Sequence, residues 1–377
     1  MTDFYKNLKN IDPRMAVRPA DSEGIAWHLP FEAPMQLSGF AWFDKDHRYE
    51  RLPVDRPAEV TQFPQGVKTM VPGEKCGAYS LSSHTAGGRI RFRTDSGVFQ
   101  LKGALLNTGG MDHMPFTGSA GFDIYLNFGG VWKCLGVSRT DHSMLEFSAK
   151  VVSGVKREMR DVIIDMPLYN GVTSLSIGLN DDAKVEAPTP YVDDRPIVWY
   201  GTSIQQGGCA SRPGMVSSNI VSRMLNRDVI NLGFSGSGKG EPEIAAMLAD
   251  IKNPSMYLID YTWNVDEKGL EATLGNLLDT LRASHPVVPI ILFTPTPGKE
   301  YMPEMAPQRF ESKSKVMRDE FDKRHQAGDQ NVYFFDALHD SLGEDFWECY
   351  VDGAHLTDMG FYRIAQAVSP IIKAILG

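Results

Sequence analysis

Five segments in the second half of the chain each bring one reactive group to the end of an apolar strand or the start of a helix. They are Gly201-Thr202-Ser203-Ile204, residues 231–236, residues 260–264, the proline-rich end of residues 290–297, and Asp352-Gly353-Ala354-His355. A serine hydroxyl is a poor nucleophile until an imidazole takes its proton, and the imidazole needs a carboxylate to fix its tautomer. Asp352 and His355 are close enough for one loop to present both. Negative charge developing on a carbonyl oxygen needs donors already in place, each typically worth roughly 3–4 kcal/mol of barrier. The N–H groups of Ser203 and Gly236 and the side-chain amide of Asn264 are the candidates. Taken singly, such residues have ordinary explanations: a helix cap, a surface turn, a turn asparagine. In this order they predict acyl transfer, with Ser203, Asp352 and His355 as catalytic residues and no metal or organic cofactor.

Convergence of these groups requires a particular scaffold. From residue 197 the rhythm is buried strand, loop, helix, with strands expected over 197–200, 228–232, 256–260, 290–294 and 332–335. Val216, Ile220, Val221, Met224 and Leu225 make a helical stripe, and 270–282 and 310–324 read as further helices. Alternating βα units imply a parallel sheet covered on both faces. In a flavodoxin-like three-layer α/β/α domain of strand order 2-1-3-4-5, the first three strands lie side by side. Their carboxyl ends then open onto one crevice. Asp352 and His355 precede the last helix, which Thr357 or Asp358 could cap.

The first half has a different rhythm. Short runs at 88–94, 98–106, 121–128, 131–137, 160–165 and 172–179 are separated by Gly, Asn, Asp and Pro, which favours an antiparallel β-sandwich of jelly-roll type. Arg89, Arg91 and Arg93 alternate with Ile90 and Phe92, the signature of a half-exposed strand. Prolines and aspartates at 181–196 suit a connector, so the expected division is a sandwich over 1–185, a linker over 186–196 and an α/β domain over 197–377.

At 377 residues two domains are the natural expectation, and 42% hydrophobic with 23% charged residues is ordinary for a globular chain. The net charge of −9 argues against nucleic acid and anionic membranes as partners. No apolar run has the length of a membrane span, and the N-terminus lacks a secretory pattern, so a cytoplasmic protein is expected. Cys76, Cys134, Cys209 and Cys349 show neither disulfide nor zinc spacing. The sequence leaves a homo-oligomer open.

The C-terminal half resembles the GDSL or SGNH hydrolase superfamily, whose four blocks carry Ser, Gly, Asn and His. Gly201-Thr202-Ser203-Ile204 matches the first block, with Thr202 where Asp is common. Asn231-Leu232-Gly233-Phe234-Ser235-Gly236, Asn264, and Asp352-Gly353-Ala354-His355 match the other three. Gly121-Phe122-Asp123-Ile124-Tyr125 is similar to the G-x-D-L-Y hallmark of a bacterial subgroup with an extra N-terminal β domain. The resemblance implies a serine esterase for small O-acyl esters, acetyl groups on sugars among them, or an acyltransferase on the same site.

A rival reading starts at Gly233-Phe-Ser-Gly-Ser-Gly238-Lys239, which follows a strand as a phosphate-binding loop does. Gly240, however, stands where such a loop needs Ser or Thr for magnesium. A G-x-S-x-G elbow is absent. Trp263 reads as a packed aromatic or a pocket wall, Arg212 as a substrate contact or a structural ion pair, and Cys209 as a small buried side chain. The loop 109–121, with Met111, His113, Met114 and Phe116, is apolar enough to fold over the crevice, and His113 and Met114 are candidate substrate contacts. The remaining histidines, at 28, 47, 84, 142, 285, 325 and 339, show no ligand spacing.

Overall fold

A computed structural model describes residues 18–43, 49–54 and 77–377; Cys76 and His47 lie outside them. The first half is built from β1 (Ile25–His28), β2 (Gln36–Ser38), β3 (Arg89–Thr94), β4 (Val98–Leu105), β5 (Asp123–Phe128), β6 (Val131–Val137), β7 (Glu146–Ser153), β8 (Arg160–Asp165), β9 (Val172–Asn180) and β10 (Val185–Glu186). They form two antiparallel sheets, β1-β9-β4-β7 and β10-β3-β8-β5-β6, with β2 pairing β3. Ile90, Phe92, Phe99, Leu101, Ile124, Val162, Ile164 and Ile177 fill the space between the sheets. Fully burying a side chain of this size contributes about 1.5–3 kcal/mol.

The arginine face of β3 overturns the expectation of a half-exposed strand. Arg89 and Arg91 are 1% and 6% exposed. Arg89 pairs with Asp165 at 2.9 Å and also bonds Ser222 of the second half, while Arg91 lies 3.5 Å over the Tyr191 ring. Alternation thus separates the sandwich core from a polar interface, and these two arginines are largely withdrawn from water. The expected connector is also partly structured: Val185–Glu186 pairs with β3, and Thr189 bonds Asp161.

The second half has β11 (Ile197–Gly201), β12 (Val229–Gly233), β13 (Met256–Asp260), β14 (Ile290–Phe293) and β15 (Val332–Phe335), all parallel in the order β12-β11-β13-β14-β15. This is the expected 2-1-3-4-5 order. Along β11, Val198 and Tyr200 join one core with helices Pro242–Ala249 and Glu267–Ser284. Ile197 and Trp199 join the opposite core with Ser217–Leu225 and Asp358–Leu376. Both sheet faces are therefore dry, as the unbroken burial of β11 to β14 requires. Gly201 stands level with Gly233 and with Asp260, so three strand ends finish in one line. Among the described residues no helix is long and apolar enough to cross a membrane.

Candidate active site

Two residues beyond the end of β11, the short helix Ser203–Gln206 opens with a complete capping box. The Thr202 side chain accepts from Ile204 N–H at 3.2 Å, and Gln205 Oε1 accepts from Thr202 N–H at 2.8 Å. Thr202 thus supplies a capping oxygen in place of the more common Asp, and the first turn is pinned with Ser203 at its head. Ser203 Oγ lies 3.0 Å from His355 Nε2, and His355 Nδ1 lies 2.7 Å from Asp352 Oδ2. The other oxygen of Asp352 accepts the backbone N–H groups of Ala354 and His355 at 2.9 and 2.7 Å. Burial raises the Asp352 carboxyl, yet the bonds from His355 N–H, the His355 ring and Ala354 N–H, with the imidazole charge, outweigh it and hold it at about 2. An ionised Asp352 that accepts from Nδ1–H leaves Nε2 free to accept the serine proton.

A pocket of about 320 Å³ is lined by Ser203, Ile204, Ser235, Gly236, Trp263, Asn264, Ala354 and His355. The residues expected from four separate segments therefore meet at one cavity. Gly236 adopts φ +66°, the left-handed region open to glycine. Its turn is braced from two sides. Ser235 N–H donates to Gln206 Oε1 at 2.9 Å, and Asn264 Nδ2 donates to Phe234 O and Gly238 O, both at 3.1 Å. Asn264 sits at the pocket as expected, but its amide protons are committed to the turn that carries Gly236. The Ser237 and Gly238 N–H groups both turn back to Phe234 O at 3.0 Å, and Lys239 N–H is taken by Glu241 at 2.8 Å, so none of the three is directed outward at a phosphate.

Trp263 forms the pocket wall. Its Nε1–H donates to Thr296 in the proline-rich stretch after β14, and its ring meets Phe310 edge-on at 5.5 Å. The 109–121 loop does reach the crevice: the His113 ring stands 5.6 Å from that of His355. Met114 and Arg212 lie elsewhere. Met114 is 4% exposed and packs in the second-half core. Arg212 gives its guanidinium to Asp123 at 2.7 Å and to Tyr125, both of the Gly121–Tyr125 motif. Neither lines the pocket, because each is used where the two halves join. Asp358 does not cap the final helix either; it accepts from Ser211 N–H at 2.8 Å and fastens the segment downstream of Ser203.

Several supporting residues have no local signal in the sequence. Arg51, fully buried, donates to Gly233 O at the end of β12, His84 O and Leu81 O, and stacks 4.6 Å from the Phe234 ring. His84 bonds Gln206 Nε2 at 3.1 Å; burial, then the Arg51 charge, push its imidazole down to about 4. Tyr169 donates its hydroxyl to Ser203 O at 3.3 Å.

Comparison with known proteins fits this geometry. Residues 194–373 match the family model of GDSL-like lipases and acylhydrolases, and residues 25–185 match the GxDLY model, the N-terminus of SGNH-hydrolase-type esterases. The chain thus joins a GxDLY N-terminal domain of the SGNH-esterase type to a GDSL-like lipase/acylhydrolase domain. It is an ester-cleaving hydrolase. A protein described as a GDSL-like lipase from Bacteroides ovatus is 28% identical with a TM-score of 0.80, over 93% of this chain and 98% of that one. A salicylyl-acyltransferase from a tetracycline biosynthetic pathway is 17% identical with a TM-score of 0.69, over 94% and 98%. A family two carbohydrate esterase from Cellvibrio japonicus is 12% identical with a TM-score of 0.58, over 93% and 98%. No curated protein matches the chain.

In this esterase Asp260 at the end of β13 accepts from Gln205 Nε2, and burial pushes its carboxyl up to about 8. The unfolded chain loses this proton near pH 4, whereas the folded protein keeps it until about 8. The native state therefore binds the extra proton in that window, and stability falls as pH rises through it. Asp260→Asn, neutral at every pH, is expected to lack that slope. Its unfolding midpoint gains on the wild type from pH 4 to 8 and then runs parallel, as thermal melts across pH would show.

Proposed function

We propose that the protein is a serine esterase for small O-acyl esters, with acetyl groups on carbohydrates as the first candidates. The observation that carries this reading is the 3.0 Å contact of Ser203 Oγ with His355 Nε2, backed by Asp352. Ser203 Oγ attacks the ester carbonyl as His355 Nε2 takes its proton, and Asp352 stabilises the imidazolium. The N–H groups of Ser203 and Gly236 receive the oxyanion, and Asn264 holds the Gly236 turn in place and can supply a third donor by releasing one carbonyl. Collapse expels the alcohol, which takes the proton back from His355. Water then attacks the acyl-serine by the same route, freeing the acid.

A pocket of about 320 Å³ walled by Trp263 favours a short acyl group, being at the small end of ligand sites. The carbohydrate assignment follows a substrate class named for proteins of the same fold, and the salicylyl-acyltransferase makes transfer to an alcohol the competing outcome. The test is a series of p-nitrophenyl esters and acetylated sugars, with products partitioned between water and an added sugar or alcohol. Turnover is expected to be highest for acetyl, to fall with chain length and to yield free acid. Faster turnover of long acyl chains would overturn the small-acyl assignment, and products found on the acceptor would replace hydrolysis by transfer.

A further inference from the structure

Sharing His355 with the proposed triad is a grouping whose other two members, His113 and Cys209, ester chemistry leaves unused. Ligand atoms of His113, Cys209 and His355 lie within 4.8 Å of one another. They come from three separate places: the loop between β4 and β5, the turn after the Ser203–Gln206 helix, and the loop before the final helix. Cys209 is 4% exposed and is held at φ +73°, a left-handed conformation uncommon outside glycine. Each imidazole carries a carboxylate at Nδ1, Asp352 Oδ2 at 2.7 Å from His355 and Asp112 Oδ1 at 3.3 Å from His113. Carboxylates placed in this way fix the tautomer of metal-binding histidines and leave Nε2 as the coordinating atom.

We propose that His113, Cys209 and His355 form a site for a thiophilic divalent cation, Zn²⁺ first, whose binding withdraws His355 from ester cleavage. Two imidazoles and one thiolate suit zinc with a fourth position left open. The sulfur donor disfavours Mg²⁺ and Ca²⁺, which take oxygen ligands. Zinc bonds of about 2.0–2.3 Å put tetrahedral ligand atoms about 3.3–3.8 Å apart. Closure from the present spacing is then a movement of about 1 Å, within reach of side-chain rotation and the 109–121 loop. The Cys209 proton leaves to solvent as the metal–sulfur bond forms. His355 Nε2 cannot hold both the cation and Ser203 Oγ, so metal occupancy and turnover exclude each other. Coordination itself is independent of the esterase reading; only the loss of turnover rests on it.

Co²⁺ titrated into the full-length protein reports the ligands directly, and Zn²⁺ added to the ester assay reports the consequence. The expected result is an intense sulfur-to-cobalt charge-transfer absorption that Zn²⁺ displaces and Mg²⁺ does not. Cys209→Ala should lose that band and need at least tenfold more Zn²⁺ for half-inhibition of its own activity, and His113→Ala should weaken cobalt binding. Ser203→Ala should keep the cobalt spectrum, so a failure of the esterase assignment is told apart from a failure of this site. Absence of the charge-transfer band in the wild type, or equal zinc sensitivity in Cys209→Ala, would overturn the proposal.

Discussion

Ser203→Ala is expected to lower kcat/KM for a p-nitrophenyl ester on the order of 10⁴-fold or more while leaving the fold intact. The hydroxyl, 3.0 Å from His355 Nε2, is placed to form a covalent acyl intermediate, and its removal takes away no hydrogen bond that the fold depends on; Thr202, Gln205 and Gln206 pin the helix without it. Asp352→Asn should cost a comparable factor, because an amide no longer fixes the Nδ1–H tautomer. With Asp352 at about 2, its carboxylate stays charged wherever esters are conveniently assayed. The acid limb of kcat/KM should therefore owe nothing to protonation of Asp352. A fluorophosphonate should label wild-type Ser203 and not the variant. Turnover by Ser203→Ala at the wild-type rate would end the nucleophile assignment.

The parts of this molecule that were legible in the sequence are those set by local pattern and topology together. The buried runs at β11, β12 and β13 cannot be solvent-facing strands, and a parallel sheet in 2-1-3-4-5 order must align their ends. Ser203, Gly236 and Asn264 follow from that alignment without any knowledge of side-chain contacts. The β3 arginines misled because alternation reports only which residues avoid the sandwich core; it does not distinguish water from a second polar surface. Strand β7 (Glu146–Ser153) was missed because only Phe147, Ala149 and Val152 on it are buried, too faint a stripe to read in isolation. Arg51, His84 and Tyr169 support the site from far along the chain, and pairings of that range leave no periodic trace. The sequence offered Met114 as a substrate contact, and Arg212 as either a substrate contact or a structural ion pair. Their side chains turn instead into the junction between the halves.

That junction gives the second large expected effect. Asp123→Ala should destabilise the protein by about 3–5 kcal/mol, the usual cost of removing one partner from a buried charge network. Asp123 is 0% exposed, and its Oδ2 accepts both Arg212 at 2.7 Å and Gly214 N–H at 2.9 Å. Across β5 and β8 it stands level with Asp165, which holds Arg89 at 2.9 Å and Arg223 at 3.3 Å. Three guanidinium groups and two carboxylates are thus packed between sandwich and sheet, with Tyr125 beneath Arg223 at 4.0 Å. Truncation at Asp123 takes from Arg212 its carboxylate partner and from Gly214 N–H its acceptor, and Gly214 cannot compensate by gaining a side chain, since a Cβ there would lie 2.4 Å from the Tyr125 ring. The loosened segment runs back through Ser211 to Cys209 and Gly208, and Gly208 packs against His355. Activity should therefore fall along with the denaturation midpoint, and Asp123→Asn, which keeps an acceptor for Gly214 N–H but not the charge, should fall between the two. A wild-type midpoint for Asp123→Ala would mean that the G-x-D-L-Y aspartate does not clamp the two halves together, and the motif's place beside the catalytic loop would need another cause.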